Sequence, residues 1–450
     1  MVLALRLGFP PSISGEPSDK NDTLTESPKK PTRTKKVATL AGILVGVFVV
    51  AELLVRVIAP ELRSFDQNLF DIPNYRSLFV KDDQLHWKLR PNTEVRVRNV
   101  TIRTDDRGFR VDPGWIPEDA SNAWRILYLG GSTVFGLGLE NSRTFAFGVG
   151  AVLQQQFGVE RQFVSYNAGV PGYSSRQVLE AAKTLIPELD PHAVIICVGN
   201  NDKWPVLQTD AELAANPPEH SLLDQIIDSS DVLTWIAELG GNGHDEHFIQ
   251  QSLPAVPRIR DQELRANLQS ICDLAKAQDS FPILIGPPVN LDANPIRTEF
   301  LDVGKWRDLP MEINRLIEAE GFEKALELVE EKLREDADNS YLLWHKGTLV
   351  AEYVDEEQGR QILERSLQAH PFPNRSRRTD RAVMLSVAKS NPPASYLNPN
   401  SLFRQGRGRM EVRQLFLDRA LPAAAGHRLL GEWLAADITQ HVNFIKKMKE

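Results

Sequence analysis

The sequence predicts an α/β fold: a mostly parallel sheet with helices on both faces, in three layers. Three observations carry this. Short apolar, β-branched runs (RILYLGG, QFVSYNAG, AVIICVGN and PILIGPP) recur through residues 125–288. Helical patterns alternate with them. AVIICV shows no polar alternation, which is the mark of a strand buried on both faces. At 450 residues, 42% hydrophobic and 25% charged, the chain is long enough for more than one domain and a sizeable core.

Residues 1–36, rich in Ser, Thr, Pro and Lys, read as a disordered cytoplasmic tail. Residues 37–59 open with the uncharged run VATLAGILVGVFVVA, and LLV and VIA extend it past Glu52 and Arg56. About 20 residues span a bilayer. Glu52 and Arg56 are four apart, so they share a helix face and partly neutralise each other. Lys29, Lys30, Arg33, Lys35 and Lys36 precede the run. The positive-inside rule therefore keeps the N-terminus in the cytoplasm and exports the chain beyond Pro60. A single-pass signal anchor is expected, with the main body periplasmic or at the cell surface.

Residues 60–118 read as a β-rich cap or linker, because 94–102 alternates with period two. The first part of the α/β domain covers 119–306. RILYLGG is a strand, and a helix comes next over 144–157, stopped by Gly158. QFVSYNAG is the second strand, and SRQVLEAAKTLIPEL a helix with Ser174 or Ser175 as N-cap. AVIICVGN is the third. An insertion with short helical pieces fills 204–260, then 261–277 reads as a helix and PILIGPP as the fourth strand. Over 307–372 helix follows helix. Pro371 lies 24 residues past Gly347, and Ala325 and Gly359 are 34 apart, the period of a tetratricopeptide repeat. Two degenerate copies fall below the usual three, so they are expected to lean on the main domain. The repeat reading implies a surface for a protein partner; an ordinary helical insertion is the alternative. Residues 373–450 return to the α/β domain.

A net charge of −8 and the lack of a basic, aromatic-rich stretch argue against a nucleic-acid surface. The two cysteines, Cys197 and Cys272, read as buried free thiols. Neither a disulfide framework nor a zinc spacing is present, and no cofactor is expected.

The motifs that carry chemistry fall at three successive strand ends, the edge where open α/β sheets bind ligands. Ser132 comes after two glycines in GGST, and a helix after it would aim its N-terminal partial charge at the site. Gly172 lies in NAGVPGYSS and offers an unencumbered N–H. Asn201, in GNND, offers a side-chain amide. Two or three such donors make an oxyanion hole. Each alone fits a simple turn; together, in order, they form a set.

That set resembles the SGNH (GDSL-like) hydrolase superfamily, over about 125–202, 261–288 and 411–437. The resemblance implies ester hydrolysis or acyl transfer, with Ser132 as nucleophile. The Ser132 N–H, the Gly172 N–H and Asn201 would hold the oxyanion, and Asp418 would orient a base. The family's fourth block runs Asp-x-x-His-Pro, then small residues, then Gly-His. Here Asp418, Pro422, Gly426 and His427 fit the frame, but Leu421 occupies the base position. Leucine cannot move a proton, and losing the base costs about a million-fold in turnover. His427 remains a catalytic candidate, although the family often has a structural histidine there. His86 is in the cap, and His192 precedes a strand, which puts it at the wrong edge. His244 and His247 flank Asp245 and Glu246 without a third ligand, so a solvated loop is expected rather than a metal site. Asp202 is expected to stabilise its turn. Exported members of this kind often act on acylated glycans or lipids, so an acylated small molecule, glycan or lipid is the implied substrate. Two functions stay open: a membrane-anchored ester hydrolase or acyltransferase, and a catalytically inactive descendant that binds a ligand or recruits a partner through its helices.

Overall fold

A computed structural model describes residues 43, 45–51, 76–82, 84–97, 99–111, 123–158, 162–215, 255–295 and 303–440. The predicted tail and most of the predicted span lie outside the described residues. Within 37–59, residues 43 and 45–51 are helical, and Val45 and Val47 are exposed. Among the described residues no helix is long and apolar enough to cross a membrane. The described residues fall into two units, those up to Ala51 and those from Arg76 onward; the second is described here by itself.

The cap is two hairpins. β1 (Phe79–Asp82) pairs with β2 (His86–Leu89), and β3 (Glu94–Val97) with β4 (Val100–Arg103), both antiparallel. Along β3 the expected alternation holds: Val95 and Val97 are buried, Glu94 and Arg96 exposed.

The main sheet starts with β5 (Trp124–Gly130), β6 (Phe163–Asn167) and β7 (Ala193–Cys197). A two-residue ribbon, β8 (Pro205–Val206) with β9 (Val256–Pro257), ties off the excursion whose middle, 216–254, is not described. β10 (Phe281–Ile285) and β11 (Ser395–Leu397) complete five strands in the spatial order β11-β10-β7-β5-β6. Every pairing is parallel. Four strands match the apolar runs. β11 is an addition: its three residues (SYL) are too few to carry a pattern.

Alternate side chains of each strand feed opposite layers. Leu127, Leu129, Val194, Ile196 and Leu284 face one cluster, and Ile126, Tyr128, Ile195, Ile283 and Ile285 the other. The helices are α1 (Ser132–Phe135), α2 (Phe145–Phe157), α3 (Ser175–Leu189), α4 (Asp210–Ala215) and α5 (Asp261–Ala277), then α6 (Leu309–Glu320), α7 (Phe322–Glu335), α8 (Ser340–Tyr353) and α9 (Glu356–Ala369). The last four are α10 (Arg378–Ser390), α11 (Pro399–Arg404), α12 (Arg409–Gln414) and α13 (Ala424–Gln440). α3, α5 and α10 supply the first cluster through Val178, Leu268 and Met384; α2 and α13 supply the second through Leu153 and Leu434. This is the expected three-layer arrangement. Ser174 is the N-cap of α3 in a reciprocal capping box with Gln177.

α6–α9 build a small core of their own around Ile313, Val329 and Leu342. They lean on the α/β part where Leu363 and Leu367 meet Val289 and Leu291.

Candidate active site

Numbered along the chain, the five strands lie in the order 2-1-3-4-5, so the winding reverses between β5 and β7. The carboxyl ends flanking such a reversal are the ligand edge of a doubly wound sheet. Between them lies a notch of about 10 Å³, lined by Gly131, Ser132, Tyr173, Gly199, Asn201 and Pro287. That volume suits a single water-sized group.

Ser132 opens α1 and is half-buried. α1 is a single turn, so the expected helix-terminal charge is correspondingly small. Neither the N–H nor the hydroxyl of Ser132 is hydrogen-bonded to any described residue. Asn201 approaches from the other side: its Nδ2 lies 3.0 Å from where a Cβ on Gly131 would stand. One Asn201 N–H donates to the Tyr173 carbonyl at 3.0 Å. An amide nitrogen carries two hydrogens, which leaves the second for the notch. Gly172 has φ +82°, a backbone state that glycine adopts without penalty. Its N–H also donates to no described residue, while its carbonyl accepts from Arg258 Nη1 at 2.7 Å. Ser132 and Asn201 thus line the notch, and Gly172 directly precedes the lining residue Tyr173 without being among the lining residues itself.

The proton-transfer half is arranged differently. Asp418 is exposed, and its Oδ1 accepts from the N–H groups of Ala420 (2.8 Å) and Leu421 (2.7 Å). The loop closes on itself through Leu417 N–H to Leu421 O at 2.8 Å. It lies at the carboxyl edge beside the segment after β10, where the Asn290 side chain donates to Asp418 O at 3.1 Å. The carboxylate therefore shapes its own turn.

His427 sits within α13, fully buried. Its Nδ1 accepts the Phe145 N–H at 3.0 Å, and its ring stacks on Phe145 at 5.5 Å. Burial, helped by the nearby Arg110 charge, holds its pKa down to about 3. It caps α2 as a neutral ring and does not line the notch. His192 accepts from the Arg125 N–H at 3.1 Å, at the amino end of β7, the wrong edge as expected. His86 lines a separate cavity of about 300 Å³ with Arg176 and Asp210. His370 accepts from the Phe372 N–H at 3.0 Å, and His345 is buried in α8. His244, Asp245, Glu246 and His247 lie outside the described residues. Among the described residues no histidine lines the notch, and no group of three His, Cys, Asp or Glu side chains could hold a metal.

Asp202, expected to stabilise its own turn, instead reaches back with its carboxylate to the N-terminus of the preceding helix α3. Its Oδ1 accepts the Ser175 N–H at 2.8 Å, and Ser175 Oγ accepts from Asn267 at 3.0 Å. Burial raises its pKa to about 6 against those hydrogen bonds. Cys197 and Cys272 are buried and free. Sequence reasoning missed three side chains near the site. Trp87 donates to Pro171 O at 3.1 Å. Arg110 donates to Phe135 O and Gly136 O, at the end of α1, at 2.7 Å each. Arg258 holds Gly172. None lies in a motif.

No family model matches the chain, and no curated protein matches it. Solved structures similar to it include TesA (16% identity over 69% of this chain and 96% of that one; TM-score 0.31). The acetylxylan esterase Axe2 from Geobacillus stearothermophilus has 13% identity over 70% of this chain and 94% of its own, with a TM-score of 0.35. A lipase/acylhydrolase from Enterococcus faecalis has 12% identity over 70% and 94%, with a TM-score of 0.33.

Proposed function

We propose that this chain is a serine ester hydrolase or acyltransferase of the SGNH (GDSL-like) type, anchored to a membrane by residues 37–59. One observation supports this above the others: the Ser132 hydroxyl and N–H and the free Asn201 amide N–H line a notch of about 10 Å³ at the switch point of the sheet, with Gly172 one residue from the lining Tyr173. Ser132 Oγ attacks an ester carbonyl. The carbonyl oxygen takes up negative charge among the Ser132 N–H, the Gly172 N–H and Asn201 Nδ2. The alcohol leaves with a proton taken from solvent, and water or an acceptor hydroxyl then attacks the acyl-serine, releasing the acid or new ester and returning Ser132 to its hydroxyl form. With Leu421 at the base position the serine proton passes to solvent, so turnover is slow. In related chemistry an oxyanion hole and binding alone retain roughly 10³–10⁴-fold over water. The substrate is an acylated small molecule, glycan or lipid. His427 is a helix cap rather than a base.

A second reading has its own support. Leu421, together with an Asp418 whose Oδ1 is spent on its own turn, fits a catalytically inactive descendant. The site then binds an acylated ligand, and the tetratricopeptide-like helices α6–α9 recruit a protein partner. Fluorophosphonate labelling of the purified chain separates the two. Labelling that disappears in Ser132→Ala supports the hydrolase. No labelling at high probe concentration leaves the binding module.

A further inference from the structure

We propose that the β-rich cap is a positioning element for the oxyanion site, acting through the indole N–H of Trp87. The cap holds the site segment 171–173 by its backbone. Trp87 Nε1 donates to Pro171 O at 3.1 Å. The only cis bond among the described residues is Pro392-Pro393, so the 171–172 peptide is trans and planar. In such a peptide the carbonyl and the following N–H point in opposite directions. Holding Pro171 O from the cap side therefore aims the Gly172 N–H away from the cap.

The next two carbonyls are held as well. Gly172 O accepts from Arg258 at 2.7 Å, and Tyr173 O from Asn201 at 3.0 Å. Arg258 is itself fixed by a buried two-point pair with Asp210, both contacts 2.9 Å, and lies over the Trp87 ring at 5.7 Å. The Tyr173 hydroxyl returns a bond to Trp87 O at 2.6 Å. Three side chains from distant segments thus lock three successive carbonyls around a glycine at φ +82°, where the chain's own preferences fix little. At its far end the cap also grips α1, through Arg110 on Phe135 O and Gly136 O. A cap that served only to cover the core would need its apolar side chains there, but not a donor on Pro171 O.

The catalytic consequence rests on the proposed hydrolase activity; the orientation of Gly172 does not. The test replaces Trp87 in the full chain by benzothienylalanine, which keeps the ring and exchanges the N–H for sulfur, with Trp87→Phe alongside. Ser132-dependent fluorophosphonate labelling is expected to slow about ten- to a hundred-fold, toward the loss of one oxyanion donor. The Gly172 amide resonance, read by glycine-selective ¹⁵N labelling, is expected to shift or double. Val95→Ala, which loosens the cap core elsewhere, should lower the unfolding temperature and leave labelling unchanged. Wild-type labelling in the benzothienylalanine protein, an unmoved Gly172 resonance, or an equal slowing in Val95→Ala overturns the proposal. If the wild-type chain does not label at all, the hydrolase reading fails, and the Gly172 resonance alone then decides: moved, the cap positions that amide; unmoved, it does not.

Discussion

At position 421 the backbone is fixed by the loop's own hydrogen bonds. Its N–H is held by Asp418, its carbonyl by Leu417, and its side chain is half-exposed. A histidine there would leave those backbone bonds in place. Asp418 Oδ1 is spent on the turn, but Oδ2 makes no hydrogen bond among the described residues and stays open for an imidazole N–H. Leu421→His is therefore expected to raise ester turnover at least a hundred-fold, recovering part of the roughly million-fold that a missing base costs. The gain should depend on Ser132 and rise with pH through about 6.5, where an ordinary imidazole loses its proton. Hydrolysis of an activated acetyl ester checks it. No gain in the variant would mean that residue 421 does not reach Ser132.

Elements of this fold differ in how far their own residues determine them. Helices α8 and α9 cross so closely that a Cβ on Gly359 would stand 2.3 Å from Ala351 N and 2.4 Å from Ala351 Cα. Those are backbone atoms and cannot rotate aside. Gly359→Ala is expected to part the helices at a cost of about 1–3 kcal/mol, although alanine favours a helix over glycine by about 1 kcal/mol. Gly408→Ala, where nothing lies within 4 Å, is the control, and thermal unfolding of the two compares them. Equal unfolding temperatures would contradict the close crossing. The sequence singled out Gly359 only by its 34-residue spacing from Ala325; that it meets Ala351 emerges from the fold. β5, β6, β7 and β10 were legible because each is a full apolar run that needs cover on both faces. β11 was not, since three residues borrow their geometry from β10. Ser132, Gly172 and Asn201 could be singled out because each lies within a few residues of the carboxyl end of a strand. Trp87 and Arg258 could not, because their partners on the Pro171–Gly172 turn lie 84 and 86 residues away, and only the folded chain brings them together.

Two properties belong to the molecule as a whole: where it is held and how it responds to acid. The charge-free run in 37–59 behind five basic residues leads us to expect that the full chain stays with membranes through alkaline carbonate extraction, and that a chain lacking 1–59 is released. Release of both would remove the anchor from the proposal. The response to acid arises from buried groups that resist their usual charge state. His427 titrates near 6.5 when exposed, but burial and Arg110 hold it to about 3 in the fold. His345, buried in α8, is held to about 4. Above pH 6.5 neither is protonated in either state, so neither makes stability depend on pH. Below it the unfolded chain takes up protons that the fold refuses, and each such site costs about 1.4 kcal/mol per pH unit until its folded pKa is reached. Asp202 works the other way: raised from 3.8 to about 6, it adds stability as pH falls through that window. Comparing one variant with the wild type cancels Asp202 and the remaining carboxylates. His427→Gln keeps an acceptor for the Phe145 N–H but removes the titration. Its stability should therefore fall less steeply between about pH 6 and about pH 4, by roughly 1.4 kcal/mol per unit, measured by urea unfolding at several pH values. Parallel slopes would mean that His427 takes up its proton in the folded chain, and with it the assignment of a neutral helix cap would fall.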